Sequence, residues 1–419
     1  MRRLLLGISA VALALWALLM GGSAAMAADQ TIGGVIKNGQ EGVPGVTVNV
    51  SDEAGFVENA ISDETGRWAV EVPEAGTYTV LIETDTLPAG VTLRDPDRTS
   101  VQVTVQAGQS KSVLFPTGDA PVSTTSKLDQ ALQLTVDGFI FGLTIALAAV
   151  GLSLIFGTTG LTNFSHGELV TFGSLMAYFF SAIMGLPFIV AAAAAVFAGG
   201  LFGFFQERFF WRWLRKRGTG LIAMLVISIG LGIFLRYFYL FIFGGNTRQY
   251  AEYSGQAGIV LGPIVVTPKA LVGAGIAILF LVLTVAWLKM TRMGKASRAI
   301  ADNPALASAS GIDVNRVISI IWAAGAGLAA LAGVIYSLSN GVSWISGFGL
   351  LLLIFAGVTL GGLGTAIGAI VGSIIVGTMI QLSTLFIPSE LKNVGALAVL
   401  IVILMIRPQG ILGRSERVG

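Results

Sequence analysis

The chain has 419 residues, 54% of them hydrophobic and only 11% charged, with a mean hydropathy of +0.82; this excludes an ordinary soluble protein and calls for a membrane-embedded body. The absence of cysteine removes disulfides, thiolate metal sites and thiol redox chemistry, and the single histidine, His166, removes every paired-histidine metal motif. The net charge of +2 conceals a division: residues 28–127 carry 6 bases and 14 acids, a net −8, whereas residues 128–419 carry 17 bases and 9 acids, a net +8.

Arg2 and Arg3 precede an apolar run over 4–20 and then Ala25-Met26-Ala27, the pattern of a secretory signal spanning 1–27. An uncleaved anchor would leave the following segment on the same side of the membrane. From residue 28 to 116 the pattern becomes short alternating runs rich in β-branched residues, such as Val46-Thr47-Val48-Asn49-Val50 and Thr77-Tyr78-Thr79-Val80-Leu81-Ile82. Turn signals separate them at Asn38-Gly39, Pro44-Gly45 and Asp63-Glu64-Thr65-Gly66. The spacing predicts a small all-β, immunoglobulin-like sandwich of about seven strands. Through Gly42, Pro44, Gly45, Asp63, Gly66, Trp68, Pro73, Gly76 and Tyr78 it resembles the carboxypeptidase-regulatory, transthyretin-like domains, which implies a stable extracellular module without catalysis. Asp52, Glu53, Asp63 and Glu64 are oxygen donors that calcium uses, but acids in turns are ordinarily solvated, and no metal site is assigned.

A Ser/Thr/Pro-rich linker over 117–127 leads to a helical membrane domain over 128–413 and a tail over 414–419. Apolar runs fall at 134–156, 169–183, 188–205, 221–243, 270–288, 317–338, 348–360, 367–386 and 394–406. They predict a polytopic α-helical membrane protein with about nine transmembrane helices, or seven plus re-entrant segments, because the second and seventh runs are short. With the sandwich outside, either parity puts Arg212, Arg215, Lys216 and Arg217, then Lys289, Arg292, Lys295 and Arg298, then Arg407, Arg414 and Arg417 in the cytoplasm, as the positive-inside rule requires.

No GxxxxGK[ST] phosphate loop occurs, so any use of ATP belongs to a partner. Between the fifth and sixth runs, Asn303-Pro304 reads as an N-cap with proline at the first helical position, and Gly311 as a stop, which predicts an exposed helix of about two turns. Ala305, Leu306, Ala307 and Ala309 suit it to a partner's groove. The stretch from Met293 to Ile312 resembles the coupling loop of the branched-chain amino acid and urea permease family of ABC importers. Asn163-Phe164-Ser165-His166-Gly167-Glu168, Gly361-Gly362-Leu363-Gly364-Thr365-Ala366-Ile367-Gly368 and Arg407-Pro408-Gln409-Gly410-Ile411-Leu412-Gly413 carry the same resemblance, over about 128–413.

The resemblance implies a transport subunit of the bacterial inner membrane, not an enzyme. Its implied partners are a second permease subunit, two cytoplasmic ATPase subunits that use ATP and magnesium, and an extracellular solute-binding protein; the chain itself would bind no cofactor and no nucleic acid. The implied cargo is a branched-chain amino acid, alternatively urea or a short amide. Gly294, Arg298, Ala299, Asn303, Ala307 and Gly311 are the expected coupling residues. Asn163, His166 and Glu168 either line the path, since ionisable groups at membrane depth are costly and tend to be functional, or cap a helix beginning near Gly167 at the cytoplasmic mouth. Asp137 and Arg236 carry the same ambiguity at the outer ends of their helices. Gly357, Gly361, Gly364, Gly368 and Gly372, four residues apart in the main, make small faces for helix packing that could serve the second permease chain. The competing class is a secondary transporter or channel with an extracellular module, against which stands the shortage of intramembrane acids.

Overall fold

The computed structural model describes residues 30–38, 41–52, 55–74, 76–93, 99–105, 110–113, 115, 117, 126–250, 256, 258–388, 391, 394, 398, 401, 405 and 410–412. The signal segment, Glu53, most of the linker, Arg407, Pro408, Gln409 and the tail lie outside these residues, as does most of the ninth apolar run. The chain divides into two units at residue 124.

In the first unit β1 (Gln30–Val35), β6 (Arg67–Val72) and β9 (Ser110–Val113) form one sheet with β1 central. β4 (Thr47–Asp52), β5 (Val57–Ile61), β7 (Gly76–Ile82) and β8 (Ser100–Val105) form the other, in the order β5-β4-β7-β8. Two-residue strands β2 (Lys37–Asn38) and β3 (Glu41–Gly42) pair at one end. Pairing is antiparallel except between β1 and β9. The period-two alternation is visible in burial: Trp68, Val70 and Val72 point inward from β6 while Arg67, Ala69 and Glu71 face out. Tyr78 reaches across to donate its hydroxyl to the Glu74 carbonyl at 2.7 Å.

The second unit is helical. α1 (Lys127–Thr159) begins where the Ser126 hydroxyl accepts from the Leu128 N–H and runs for 33 residues, about 50 Å at 1.5 Å per residue. α2 (His166–Tyr178) follows a non-helical segment over 160–165 and continues as a π turn, Phe179–Ile183. α3 (Phe188–Phe205) passes through a second π turn, Gln206–Trp211, into α4 (Arg212–Lys216). α5 (Leu221–Phe243) and the hairpin of β10 (Ile259–Leu261) and β11 (Ile264–Val266) come next. Then follow α6 (Pro268–Met290), α7 (Arg292–Asp302), α8 (Pro304–Ala309), α9 (Val314–Asn340), α10 (Ser346–Gly361) and α11 (Ala366–Ser383).

Six helical spans among the described residues are long and apolar enough to cross a membrane, beginning at Lys127, Phe188, Leu221, Pro268, Val314 and Ala366. The two apolar runs expected to be short are α2 with its π turn and the 16-residue α10. α1 and α9 occupy the centre, each 78% buried in its most apolar window, whereas α3, α5 and α6 are about a quarter buried and present apolar side chains outward.

Candidate functional site: an exposed elbow and a buried polar cluster

α7 folds back beneath the end of α6. Thr291 caps it, its hydroxyl accepting from the Gly294 N–H at 3.0 Å, and Gly294, Ser297 and Ile300 face inward. Gly294 lies so close to the Leu288 backbone that a β-carbon would overlap it. Arg298 is exposed, yet its guanidinium donates to the Leu288 carbonyl, one of the acceptors left over at the end of α6. Ala299 is half-buried. Asn303 then starts α8, its side-chain oxygen accepting from the Leu306 N–H at 2.9 Å with Pro304 in the first helical position. Gly311 ends the turn at φ 85°, where a side chain would be strained, and Asp313 caps α9 through the Arg316 N–H at 3.0 Å. Each helix end in this elbow has a partner, so its shape is set. Ala307 is buried at 4% exposure, while Leu306 beside it is 65% exposed and forms an apolar knob at the tip.

Asn163, His166 and Glu168 come together in the interior, at 0%, 0% and 1% exposure. His166 is the first residue of α2, and its Nε2 lies 2.9 Å from the Ala148 carbonyl, eleven residues before the end of α1. The helix thus begins one residue before Gly167, with Glu168 in its first turn, as the capping alternative expects. Asn163 uses its side-chain oxygen for the Ser165 N–H (3.1 Å) and hydroxyl (2.6 Å). Arg236, expected at the outer end of its helix, instead donates Nε and Nη2 to Glu168 Oε1 at 3.0 and 2.9 Å. Tyr239, one turn further along α5, donates to the Glu168 backbone carbonyl at 3.2 Å. Asp137 is half-buried and accepts from Gln133 at 3.0 Å.

A second buried acid, Glu207, went unread in the sequence, although an acid within the run Gly203-Phe204-Phe205-Gln206-Glu207-Arg208-Phe209-Phe210-Trp211 was a signal. It sits at 0% exposure, held by both terminal nitrogens of Arg215 (Nη1 to Oε2 3.1 Å), with Arg212 Nε at 3.7 Å. Arg212 also donates to the Asn315 carbonyl at 2.8 Å and to the Ser319 hydroxyl. The basic cluster of α4 and the elbow leading into α9 are thereby joined at one end of the bundle.

Gly357, Gly361, Gly368 and Gly372 line the contact of α10 with α11: a β-carbon on Gly361 would overlap the Gly368 carbonyl, and one on Gly372 the Gly357 carbonyl. Their small faces are used within this chain. Gly364 is apart from them, in the turn between the helices at φ 79° and next to Gly157. In the first unit Asp52 and Asp63 spend carboxylate oxygens on their own turns, Asp52 on the Phe56 N–H at 2.8 Å and Asp63 on Thr65 and Arg67.

Residues 134–405 match the family described as branched-chain amino acid transport system / permease component. The high-affinity branched-chain amino acid transport system permease protein LivH of Salmonella typhimurium is 33% identical over 299 residues, covering 68% of this chain and 96% of that protein. BraD, of the same description, from Pseudomonas aeruginosa is 32% identical over 308 residues, covering 68% and 96%. The ribose import permease protein RbsC of Escherichia coli is 29% identical over 244 residues, covering 55% of this chain and 72% of that protein. The family match begins at residue 134, after the sandwich.

Proposed function

Because the chain belongs to the branched-chain amino acid transport permease family, and so is the permease subunit of an ABC importer and not itself an enzyme, we propose that it moves branched-chain amino acids inward across the bacterial inner membrane. The relatives' names favour that cargo over urea or short amides. Two separate ATPase subunits, using ATP and magnesium, dock on the α7–α8 elbow; a second permease chain completes the path and an extracellular binding protein delivers the solute. The sandwich faces outward and the elbow faces the cytoplasm. In favour of that orientation, the bases of α4 and of α7 lie at one end of the bundle.

The observation that carries the coupling role is the elbow itself. An exposed loop with a capped, glycine-stopped helix and an outward Leu306 is shaped to transmit a push, since a flexible loop would absorb it. ATP binding can shift the permease only through contacts that differ between its two states. Gly294 and Ala307 let the elbow seat on its own chain, Arg298 braces it against α6, Ala299 packs on the core, and Asn303 and Gly311 bound the helix that carries the knob. Asn163, His166 and Glu168 belong to the path.

Arg298→Glu, which removes the donor and sets a carboxylate against a carbonyl oxygen, and Leu306→Asp should each cut substrate uptake in proteoliposomes by about tenfold or more while the chain still inserts; tenfold corresponds to about 1.4 kcal/mol of lost coupling. ATP hydrolysis persisting without uptake is the signature of uncoupling. Unchanged uptake in both variants sinks the docking role of the elbow.

A further inference from the structure

One helix of the second unit begins inside the protein and another begins half-exposed next to it. α2 starts at His166 after the segment over 160–165, in which Leu161, Asn163 and Ser165 are buried, and α10 starts at Ser346 after the segment over 341–345. Their first turns lie side by side and antiparallel. The Phe164 ring meets Phe355 at 4.8 Å, Gly167 faces Leu351, and the Thr171 hydroxyl accepts the Gly347 N–H at 3.0 Å. Gly167 and Gly347 meet backbone to backbone, so that a β-carbon on Gly347 would overlap the Gly167 carbonyl. Because the two helices are antiparallel, the positive ends of their dipoles point in opposite directions at this crossing. Non-helical backbone at membrane depth is tolerated where it is buried in protein or lines a cavity.

The Glu168–Arg236 pair at that place is not saturated. Arg–carboxylate pairs commonly form a two-oxygen fork, but here both donors go to Oε1. Oε2 has only the Thr171 hydroxyl, at 3.5 Å, and among the described residues Arg236 Nη1 makes no hydrogen bond. The guanidinium lies flat on Phe348, 3.7 Å from the ring centre. Phe348 is 48% exposed and the Arg236 side chain 14%, against 1% for Glu168, so the pair runs from the core to an outer face. At the start of the helix that carries Glu168, His166 Nδ1 and Asn163 Nδ2 are fully buried and have no hydrogen-bond partner among the described residues. Unpartnered polar atoms in the interior are costly; His166 turns to Ala148 of α1 while Glu168 turns to Arg236 of α5, and it is the charge pair that has bonding capacity to spare.

We propose that this cluster binds the ammonium and carboxylate of an α-amino acid in transit. The substrate carboxylate takes the place of Glu168 on Arg236, and the substrate ammonium takes the place of Arg236 on Glu168. The exchange turns one ion pair into two. A zwitterion can therefore part Glu168 from Arg236 without leaving either charge unpaired in the interior, whereas a simple anion or a simple amine would strand one of them. Selectivity for the amino-acid backbone follows from that balance. The proposal rests on the importer function above and adds the residues that read the substrate.

The test uses the complete importer in proteoliposomes, with radiolabelled leucine as the probe and Glu168→Gln, Arg236→Gln and the double variant. Co-purification with the ATPase subunits and the melting temperature report assembly. Each single variant should lower leucine uptake by about tenfold or more, and the double variant should be no better. Recovery of uptake in the double variant would mean that the pair only balances buried charge, and would overturn the proposal. A second measurement needs no variant: a diazirine analogue of leucine, irradiated during turnover, should label peptides containing Asn163 to Glu168, Arg236 or Phe348. Labelling confined to other regions also overturns it. A wild-type importer that accumulates no amino acid at all would instead strike the importer function, which is a distinguishable result.

Discussion

In the sandwich, large apolar side chains such as Ile32, Trp68, Tyr78 and Ile82 meet at the centre and the carboxylates of Asp52 and Asp63 stay in the turns. The helical unit adds an outward apolar face: Phe234, Phe241 and Ile222 point outward, while Trp211 and Trp322 share the interior with glycine, alanine and the acids Glu168 and Glu207. The difference follows from the two solvents. In water, removing apolar area from solvent drives folding, so bulk in the centre stabilises. Among lipid tails, helices gain little by hiding a leucine from a methylene chain, and they associate through close backbone packing and polar contacts. The same type of substitution should therefore act in opposite ways in the two units.

The largest effect is expected from adding bulk at the α10–α11 seam. In Gly361→Val the new side chain meets the Gly368 backbone, which has no rotamer in which to retreat. The expected loss is about 3 kcal/mol, visible as a lower melting temperature and less monodisperse protein in detergent. Gly275→Ala on α6, where nothing lies within 4 Å, is the control and should melt with the wild type. Equal melting of both variants would break the contrast.

Removing bulk should do the reverse. Ile82→Ala, at a position 2% exposed in the sandwich, leaves a cavity worth about 2 kcal/mol, the low end for such a change. Hydrogen exchange on the full chain should speed up in peptides from β4 and β7 with no change in the helices. Phe241→Ala, 70% exposed on α5, removes more atoms yet should leave exchange unaltered, because lipid contacts replace what is lost. Faster exchange throughout α5 would contradict this account.

The same contrast explains what was legible in the sequence. Alternation in β6, the uninterrupted apolar runs, and the signals at Asn303, Pro304 and Gly311 are written by neighbours a few residues apart, and the strands, the long helices and α8 follow from them. The ion pair of Glu168 with Arg236 joins residues 68 positions apart, and the meeting of Gly167 with Gly347 spans a still longer stretch; neither leaves a local pattern. His166 and Glu168 stood out because charge is rare in a run of that kind, which is why their residues were singled out while their geometry was not. The π turn over Gln206–Trp211 hid Glu207 for a related reason. The aromatic run around it reads as uniform apolar helix until Arg212 and Arg215 are seen folding back on it.

The smallest expected effect tests the aqueous side of the comparison. Asp63 is an exposed carboxylate, and its Oδ1 accepts from the Thr65 hydroxyl at 2.7 Å, the Thr65 N–H at 2.8 Å and the Arg67 N–H at 2.9 Å. These bonds, the Thr65 hydroxyl first and the Arg67 N–H next, hold its carboxyl below the ordinary carboxylate range. A folded-state value below the unfolded one means that the turn contributes stability at pH above the ordinary carboxylate range. That contribution is lost as pH falls through the lowered value and protonation weakens the acceptor. Asp63→Ala should therefore make exchange at Arg67 and Trp68 modestly faster near neutral pH, where the carboxylate is charged, with solvent screening keeping the effect small. The gap between variant and wild type should close in acid. A gap that stays the same across that range would mean the side chain holds the turn without its charge, no gap at all would mean the backbone alone holds it, and the helical unit should show no such pH-linked difference at any point in the titration.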